Sequence, residues 1–313
     1  SPDALVVEIG SNDGILLKPL LQRGVRVLGV EPAHAIAGRA LESGVPTVPE
    51  FFSSKLAARL QAEHGPADVV TANNVFAHLK NLEDIVSGVR RLLKPDGVFT
   101  FEVQYLGDLL AGNLFDIVYH EHLCYYHVSP LVSFFSAKGM EVFDVQRVPV
   151  HGGSIRVFVQ RKGGPHPRDH RLDVILAEER ARGLETPLPY TRFSERMEQN
   201  KRALQGLLGH LRNEGKRIVG YGAPAKATTF LYTFGISRNT LDYIVDDDAT
   251  FKQGRYMPGL HVPIVPPSRL HLDRPEYCLL LAWNFAEQIM RNHADFANRG
   301  GRFIIPVPEP RVI

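Results

Sequence analysis

Cysteine, tryptophan, net charge and long apolar runs are all scarce in this sequence, and each scarcity excludes something. The two cysteines, Cys124 and Cys278, stand far apart in 313 residues and neither belongs to a CxxC pair, so a finger-type zinc site is excluded. A reducing, cytoplasmic setting is expected. The 36 Lys and Arg residues nearly cancel the 34 Asp and Glu, leaving a formal charge of +2. That leaves no basic stripe of the kind nucleic-acid binding requires; the densest basic group, Arg90, Arg91 and Lys94, has the spacing of a solvated helix face. No stretch approaches the roughly 20 apolar residues of a membrane span, and the longest, near Tyr277–Trp283, suits a buried strand. No signal peptide is visible. A GxGxxG dinucleotide loop is also missing after the first apolar run.

What remains is an ordinary globular composition, 44% hydrophobic and 22% charged, in a chain long enough for two domains. Strand-like runs at Leu5–Ile9, Val25–Val30, Val69–Thr71 and Val98–Val103 alternate with helical patterns at Ile15–Gln22, Ala35–Glu42, Ser53–Glu63 and Leu82–Leu93. This rhythm predicts a parallel sheet covered on both faces, with Lys94-Pro95-Asp96-Gly97 as the turn before the fourth of these strands. A helix at Leu131–Lys138 precedes two β-rich runs, Gly139–Pro149 and Ile155–Lys162, which read as an antiparallel edge pair. Residues 163–188, rich in Pro, Arg, His and Gly, read as a linker with room for one short helix, followed by a long helix over Pro189–Glu214. A second β-α region then has strands at Arg217–Gly220, Leu241–Val245 and Tyr277–Ala282, helices at Thr228–Phe234 and Phe285–Asn298, and a closing strand at Arg302–Ile305. The expected fold class is α/β, with domains at 1–162 and 215–313 joined by 163–214.

The first chemical motif is Val7-Glu8-Ile9-Gly10-Ser11-Asn12-Asp13-Gly14. Small residues at a strand end allow a tight turn and a close backbone approach to a ligand, and ligands of open α/β sheets bind there. Glu31 ends the second strand, where a carboxylate can accept from both hydroxyls of a ribose. NAD and S-adenosylmethionine both fit that geometry. Acids at Glu8 and Asp13 would repel a pyrophosphate yet suit a sulfonium and an amino group, and Asp68-Val69-Val70-Thr71-Ala72-Asn73-Asn74 supplies a strand with a polar tip. S-adenosylmethionine is therefore favoured, over the plainer reading that the two acids cap a helix. Pro32, Phe52, Asn73 and Asn74 complete the candidate cofactor set with Glu8, Gly10, Ser11, Asn12, Asp13, Gly14 and Glu31.

A second constellation crowds Tyr119-His120-Glu121-His122 against Tyr125-Tyr126-His127. Histidine accepts a proton near neutral pH, a neighbouring acid can tune it, and a tyrosine hydroxyl can donate to an oxyanion. A metal site is the rival reading, but HExxH and HxxEH spacings are absent; a hydrogen-bonded polar loop is the bland one. His78 follows the fourth strand and belongs to the same cleft in this fold class. In the second region, Gly220-Tyr221-Gly222-Ala223-Pro224-Ala225-Lys226 is a strand, a small-residue turn and a lysine at a helix start, which suits a diphosphate. Asp246-Asp247 could hold a ribose or cap a turn, and Trp283-Asn284 marks another strand end. The expected substrate contacts are Tyr105, His151, Gly222, Ala223, Lys226 and Asn284.

Taken together, VEIGSNDG, the FDxxYHEH segment at Phe115–His122, PVHGGSIRVFV at Pro149–Val159 and GYGAPAK at Gly220–Lys226 resemble the S-adenosylmethionine-dependent C-methyltransferases of nucleotide-linked deoxysugars, over essentially the whole chain. The resemblance implies a class I methyltransferase domain, Rossmann-like, followed by a second, smaller Rossmann-like domain that binds the sugar nucleotide. It implies His122 as general base, with Tyr119, Glu121 and His78 as its catalytic neighbours. It implies a 4-keto sugar, commonly dTDP-linked, deprotonated beside the ketone and methylated on carbon. No metal is expected in this chain; relatives carry an N-terminal zinc-binding module with clustered cysteines, which this sequence does not contain. A monomer or small homo-oligomer, without membrane or nucleic-acid partners, is expected. An NAD-dependent oxidoreductase and a non-catalytic sugar-nucleotide-binding protein are the alternatives.

Overall fold

The computed structural model describes residues 3–313. The chain divides into two compact units, one of residues up to Asp108 with Glu121–Glu185, the other of Leu109–His120 with Thr186–Ile313.

The first unit is built on seven strands: β1 (Leu5–Ile9), β2 (Arg26–Val30), β3 (Thr47–Val48), β4 (Ala67–Asn73), β5 (Leu93–Gln104), β6 (Met140–Val148) and β7 (Ser154–Arg161). Their order is β3-β2-β1-β4-β5-β7-β6, and β7 runs antiparallel to both β5 and β6. The expected antiparallel pair is therefore present at one edge. β1 is buried along nearly its whole length, as a central parallel strand covered on both faces must be. The helices are α1 (Leu17–Gln22), α2 (His34–Glu42), α3 (Ser54–His64), α4 (Leu82–Leu92), α5 (Leu106–Ala111, at the border of the units), α6 (Val128–Ala137) and α7 (His170–Arg182). α4 shows why they pack. Ile85, Val86, Val89 and Leu92 form one buried stripe, Asn81 caps the start, Glu83 and Asp84 occupy the first turn, and exposed Arg90 and Arg91 the last, which matches the helix dipole. Because β1, β2 and β3 step one way and β4 lies on the other side of β1, the strand order reverses between β1 and β4. That reversal opens the crevice where a doubly wound sheet holds its ligand.

Two expectations in this unit need correction. Lys94–Gly97 does not separate helix from strand; it lies inside β5 as a looped-out stretch, where pairing jumps from Ala67↔Leu93 to Val69↔Val98. Asp68 holds the stretch in place, accepting from Lys94 Nζ at 2.7 Å and Leu5 N at 2.8 Å. The supposed linker after residue 163 contains the 13-residue α7, whose Leu172 and Ile175 join the first unit's core. Glu179 of α7 is buried and accepts from Val128 N at 2.6 Å and Ser129 N at 2.9 Å, at the start of α6. The border between units thus falls at neither 162 nor 214.

The second unit opens with α8 (Leu188–Asn213) and continues through β8 (Ile218–Tyr221), α9 (Ala225–Thr233), β9 (Ile244–Val245), β10 (Ile264–Val265), α10 (Ser268–Leu272), β11 (Tyr277–Leu280), α11 (Ala286–Asn292), α12 (Ala294–Asn298), β12 (Arg302–Ile305) and β13 (Arg311–Val312). The sheet order is β10-β9-β8-β11-β12-β13, parallel except for β13. β12 therefore does not close the sheet; β13 covers its edge. Here the order reverses between β8 and β11. The expected helix Phe285–Asn298 is broken at His293, which turns inward and is only 7% exposed. No helix among the described residues is long and apolar enough to cross a membrane.

Candidate active site

In the first unit, the turn after β1 is drawn against β2. Gly10 N and Ser11 N both donate to Val30 O, at 2.8 and 3.2 Å. Gly10 has φ +69, and a Cβ there would collide with the Val75 side chain, so glycine serves both the turn and the close packing. The Glu31 carboxylate is buried and fixed by backbone: Oε2 accepts from Asn12 N at 3.1 Å and Oε1 from Ala33 N at 2.9 Å. Each oxygen keeps lone-pair capacity for a further donor, which is what two ribose hydroxyls require. Glu8, one strand-residue back from the turn, is also buried; Oε1 takes a 3.5 Å bond from Asn73 Nδ2 and Oε2 has no partner. Burial lifts its pKa to about 7, the Asn73 bond opposing. A buried acid with one unpartnered oxygen suits a cationic group of the cofactor. Asn12, Asp13 and Asn74 are exposed around the same strand ends, with Pro32 half-buried; Asn12 and Asn74 adopt left-handed backbone, which asparagine tolerates. Neither Glu8 nor Asp13 caps α1, which begins at Leu17 with no side-chain cap.

Two members of the cofactor set face elsewhere. The Ser11 side chain is buried against Gly29, and Phe52 belongs to the core, packed on Gly88 of α4. The large neighbour left in the open is Phe51.

The histidine pair is assembled by the aromatic core. Phe76 is buried among Phe99, Phe101, Tyr126 and Phe135 and starts the 3-10 turn Phe76–His78 after β4. Tyr126 OH donates to Phe76 O at 3.1 Å and Leu123 N to Ala77 O at 2.9 Å. These bonds tie the chain just beyond His122 to the turn carrying His78. The two imidazoles consequently meet edge to face with centroids 5.0 Å apart, and the Tyr125 ring lies 6.2 Å from that of His122. His122 is buried, His78 half-buried and Glu121 exposed. Tyr119 groups with the second unit, its ring beside that of His120. Tyr105, an expected substrate contact, is fully buried beneath the Arg147 guanidinium, and burial holds its hydroxyl pKa well above the usual phenol range. It is a core residue. His151 is half-buried, with φ +54, in the β6–β7 hairpin.

In the second unit the reversal point lies between Gly222, after β8, and Trp283-Asn284, after β11. A Cβ on Gly222 (φ +90) would strike Ala282. Asn284 is half-buried, beside a groove of about 400 Å³ lined by Trp283, Arg291, Ile305 and Arg311 among others. At two residues of the expected diphosphate site the structure shows partners within the second unit. Ala223 N already donates to Asp246 Oδ2 at 2.7 Å, and Lys252 Nζ reaches the same oxygen at 3.2 Å; Asp246 caps the turn. Lys226 is turned inward, 13% exposed, with Nζ 3.4 Å from Asp116 Oδ2 and 3.5 Å from the centre of the Trp283 ring. Trp283 Nε1 donates to that same oxygen at 2.6 Å. Burial pushes Lys226 down to about 8 and Asp116 up, outweighing their mutual attraction in both. Asp116 stood in the quoted FDxxYHEH segment without a role. Phe115 beside it stacks on Phe234 at 4.6 Å, so these two residues fasten the segment within the second unit.

The profile of a C-methyltransferase C-terminal domain matches residues 149–308, and that of a methyltransferase domain matches residues 2–145. The C-methyltransferase NovU of Streptomyces niveus is 40% identical over 309 residues, covering 99% of this chain and 73% of its own. The chain belongs to the C-methyltransferase family. It is an S-adenosylmethionine-dependent C-methyltransferase, with a class I methyltransferase domain followed by the family's C-terminal domain. A ubiquinone biosynthesis O-methyltransferase of Burkholderia thailandensis is 28% identical over 170 residues, 48% of this chain and 70% of its own. The solved structure of an S-adenosylmethionine-dependent methyltransferase from Anabaena variabilis covers 52% of this chain and 79% of its own, with 14% identity and a TM-score of 0.42. For this C-methyltransferase, the fixed Glu31 and the buried, partly unsatisfied Glu8 are the observations that fit the cofactor.

Proposed function

We propose that the chain methylates the carbon beside the ketone of a nucleoside-diphosphate-linked 4-keto deoxysugar, dTDP being the favoured nucleotide. The observation that carries the reading is the His78–His122 pair, two imidazoles joined by packing at the carboxyl end of β4. A C–H beside a ketone is acidified by the carbonyl, and an imidazole is the side chain whose basicity suits its removal near neutral pH.

In the proposed sequence, His122 takes that proton. The C–H electron pair becomes an enolate, whose oxygen receives a hydrogen bond from His78. The pair then forms the new C–C bond while the S–CH3 bond breaks and its electrons return to sulfur. Bound S-adenosylmethionine supplies the electrophilic methyl group. Glu31 holds the ribose hydroxyls, Glu8 faces the cationic end, and Glu121, being exposed, tunes His122 through charge. Most of the rate then comes from orientation and from stabilising the enolate oxygen.

Incubation with a dTDP-4-keto-6-deoxysugar and S-adenosylhomocysteine in D2O tests this directly. Exchange of the proton beside the ketone, lost in His122→Ala, is expected, and S-adenosylmethionine should then yield a C-methyl product. Methyl transfer to oxygen, or exchange that persists undiminished in His122→Ala, would overturn it.

A further inference from the structure

We infer that His271, His293 and Asp295 of the second unit form a binding site for a transition-metal ion of the zinc class, with the Arg299 guanidinium as the group the ion displaces. One donor atom from each of the three lies within 4.8 Å of the others. They come from α10, from the break between α11 and α12, and from the first turn of α12, which is why no metal spacing is visible in the sequence.

The tautomer of His293 follows from its partners. Tyr221 OH lies 3.0 and 3.2 Å from the two oxygens of Asp247 and 2.7 Å from His293 Nε2. An ionised carboxylate only accepts, so the hydroxyl donates to Asp247 and receives the Nε2 proton of His293. The Nδ1 lone pair is left, and Nδ1 is buried without a hydrogen-bond partner. A metal-ligating histidine usually has its other ring nitrogen held by a hydrogen-bonded partner, and here the Tyr221 hydroxyl, itself fixed by Asp247, plays that part.

The other two donors already share a cation. His271 Nδ1 and Asp295 Oδ2 stand 2.8 Å apart, and Arg299 Nη2 lies 2.6 Å from the first and 2.7 Å from the second. A guanidinium nitrogen can only donate, so both atoms present lone pairs to one positive group. Arg299 is partly exposed, and it borders a groove of about 270 Å³ that Glu276 also lines. The guanidinium therefore has both space and an acid to move toward. Two imidazole nitrogens and one carboxylate oxygen suit zinc, and three protein ligands leave a fourth position for water.

The test uses the chain stripped with chelator, then titrated with Zn2+ against a chromophoric competitor and with Co2+ for its absorption spectrum. One saturable site with a tetrahedral-type Co2+ spectrum is expected. His271→Ala and Asp295→Asn should weaken binding at least about 100-fold, Tyr221→Phe about 10-fold, and Arg299→Ala should tighten it. Circular dichroism of each variant separates loss of the site from loss of fold. No Co2+ spectrum in either the parent or Arg299→Ala, or unchanged affinity in a folded His271→Ala, overturns the proposal.

Discussion

His78 and His122 meet edge to face, their ring centroids 5.0 Å apart. The residues lie 44 positions apart in sequence, and what joins them is a buried aromatic cluster around Phe76 with two hydrogen bonds to the turn that bears His78. If His122 is the base, His122→Ala should reduce turnover by roughly 10²–10⁴-fold, the contribution of a positioned acid–base group. S-adenosylhomocysteine affinity should stay within about 2-fold, since transition-state and ground-state interactions separate in this way. His78→Phe keeps the ring packing and should cost about 5-fold in kcat, one hydrogen bond to the enolate oxygen being worth about 1 kcal/mol. Steady-state kinetics with calorimetry on the same variants check both values.

Glu31 is gripped by two backbone N–H groups. Glu31→Ala should weaken S-adenosylhomocysteine by roughly 30- to 100-fold, the loss of hydrogen bonds to a charged acceptor, and weaken the sugar nucleotide little. Isothermal titration with each ligand separates the two effects. Equal loss of both would remove Glu31 from the cofactor site.

Glu8 makes stability depend on pH in a stated direction. Its pKa is raised from 4.5 to about 7, chiefly by burial, so the ligand-free fold binds a proton that the unfolded chain releases. The stabilisation is full below about pH 4.5 and is lost as pH rises through 7, to a ceiling of about 3 kcal/mol. Glu8→Gln should therefore gain stability relative to the parent as pH rises from 5 to 8. Urea unfolding at several pH values reads this difference; a constant offset would mean that Glu8 does not titrate in that range.

Lys226 and Asp116 should behave as a buried pair. Asp116→Asn leaves a buried ammonium without its counter-ion and should cost about 3–5 kcal/mol, whereas the double variant Asp116→Leu with Lys226→Met should recover much of that loss. Denaturant unfolding of Asp116→Leu, Lys226→Met and their double variant completes a double-mutant cycle that gives the coupling. A near-zero coupling energy would show that the two residues act independently, and would return Lys226 to consideration as an anion-binding group.

Some of this architecture was legible in the order of residues alone. Periodicity and small-residue turns located most strands and helices, because burial on a parallel sheet demands apolar runs and tight strand ends demand glycine. Glu8, Asp13, Glu31 and the paired asparagines favoured S-adenosylmethionine, because any doubly wound sheet brings its strand ends together, and the four motifs added a resemblance to the C-methyltransferases. Side-chain direction was decided only by tertiary packing. Tyr105 and Phe52 looked like binding residues until the core claimed them, and Lys226 looked like a phosphate ligand until Asp116, 110 positions earlier, took its charge. The inward turn of His293, the helix α7 beneath its polar surface and the looped-out residues in β5 likewise depend on distant partners. A side chain's neighbours across a fold leave no periodic trace in its own stretch of chain, so charge pairing and burial became readable only once the chain had closed on itself.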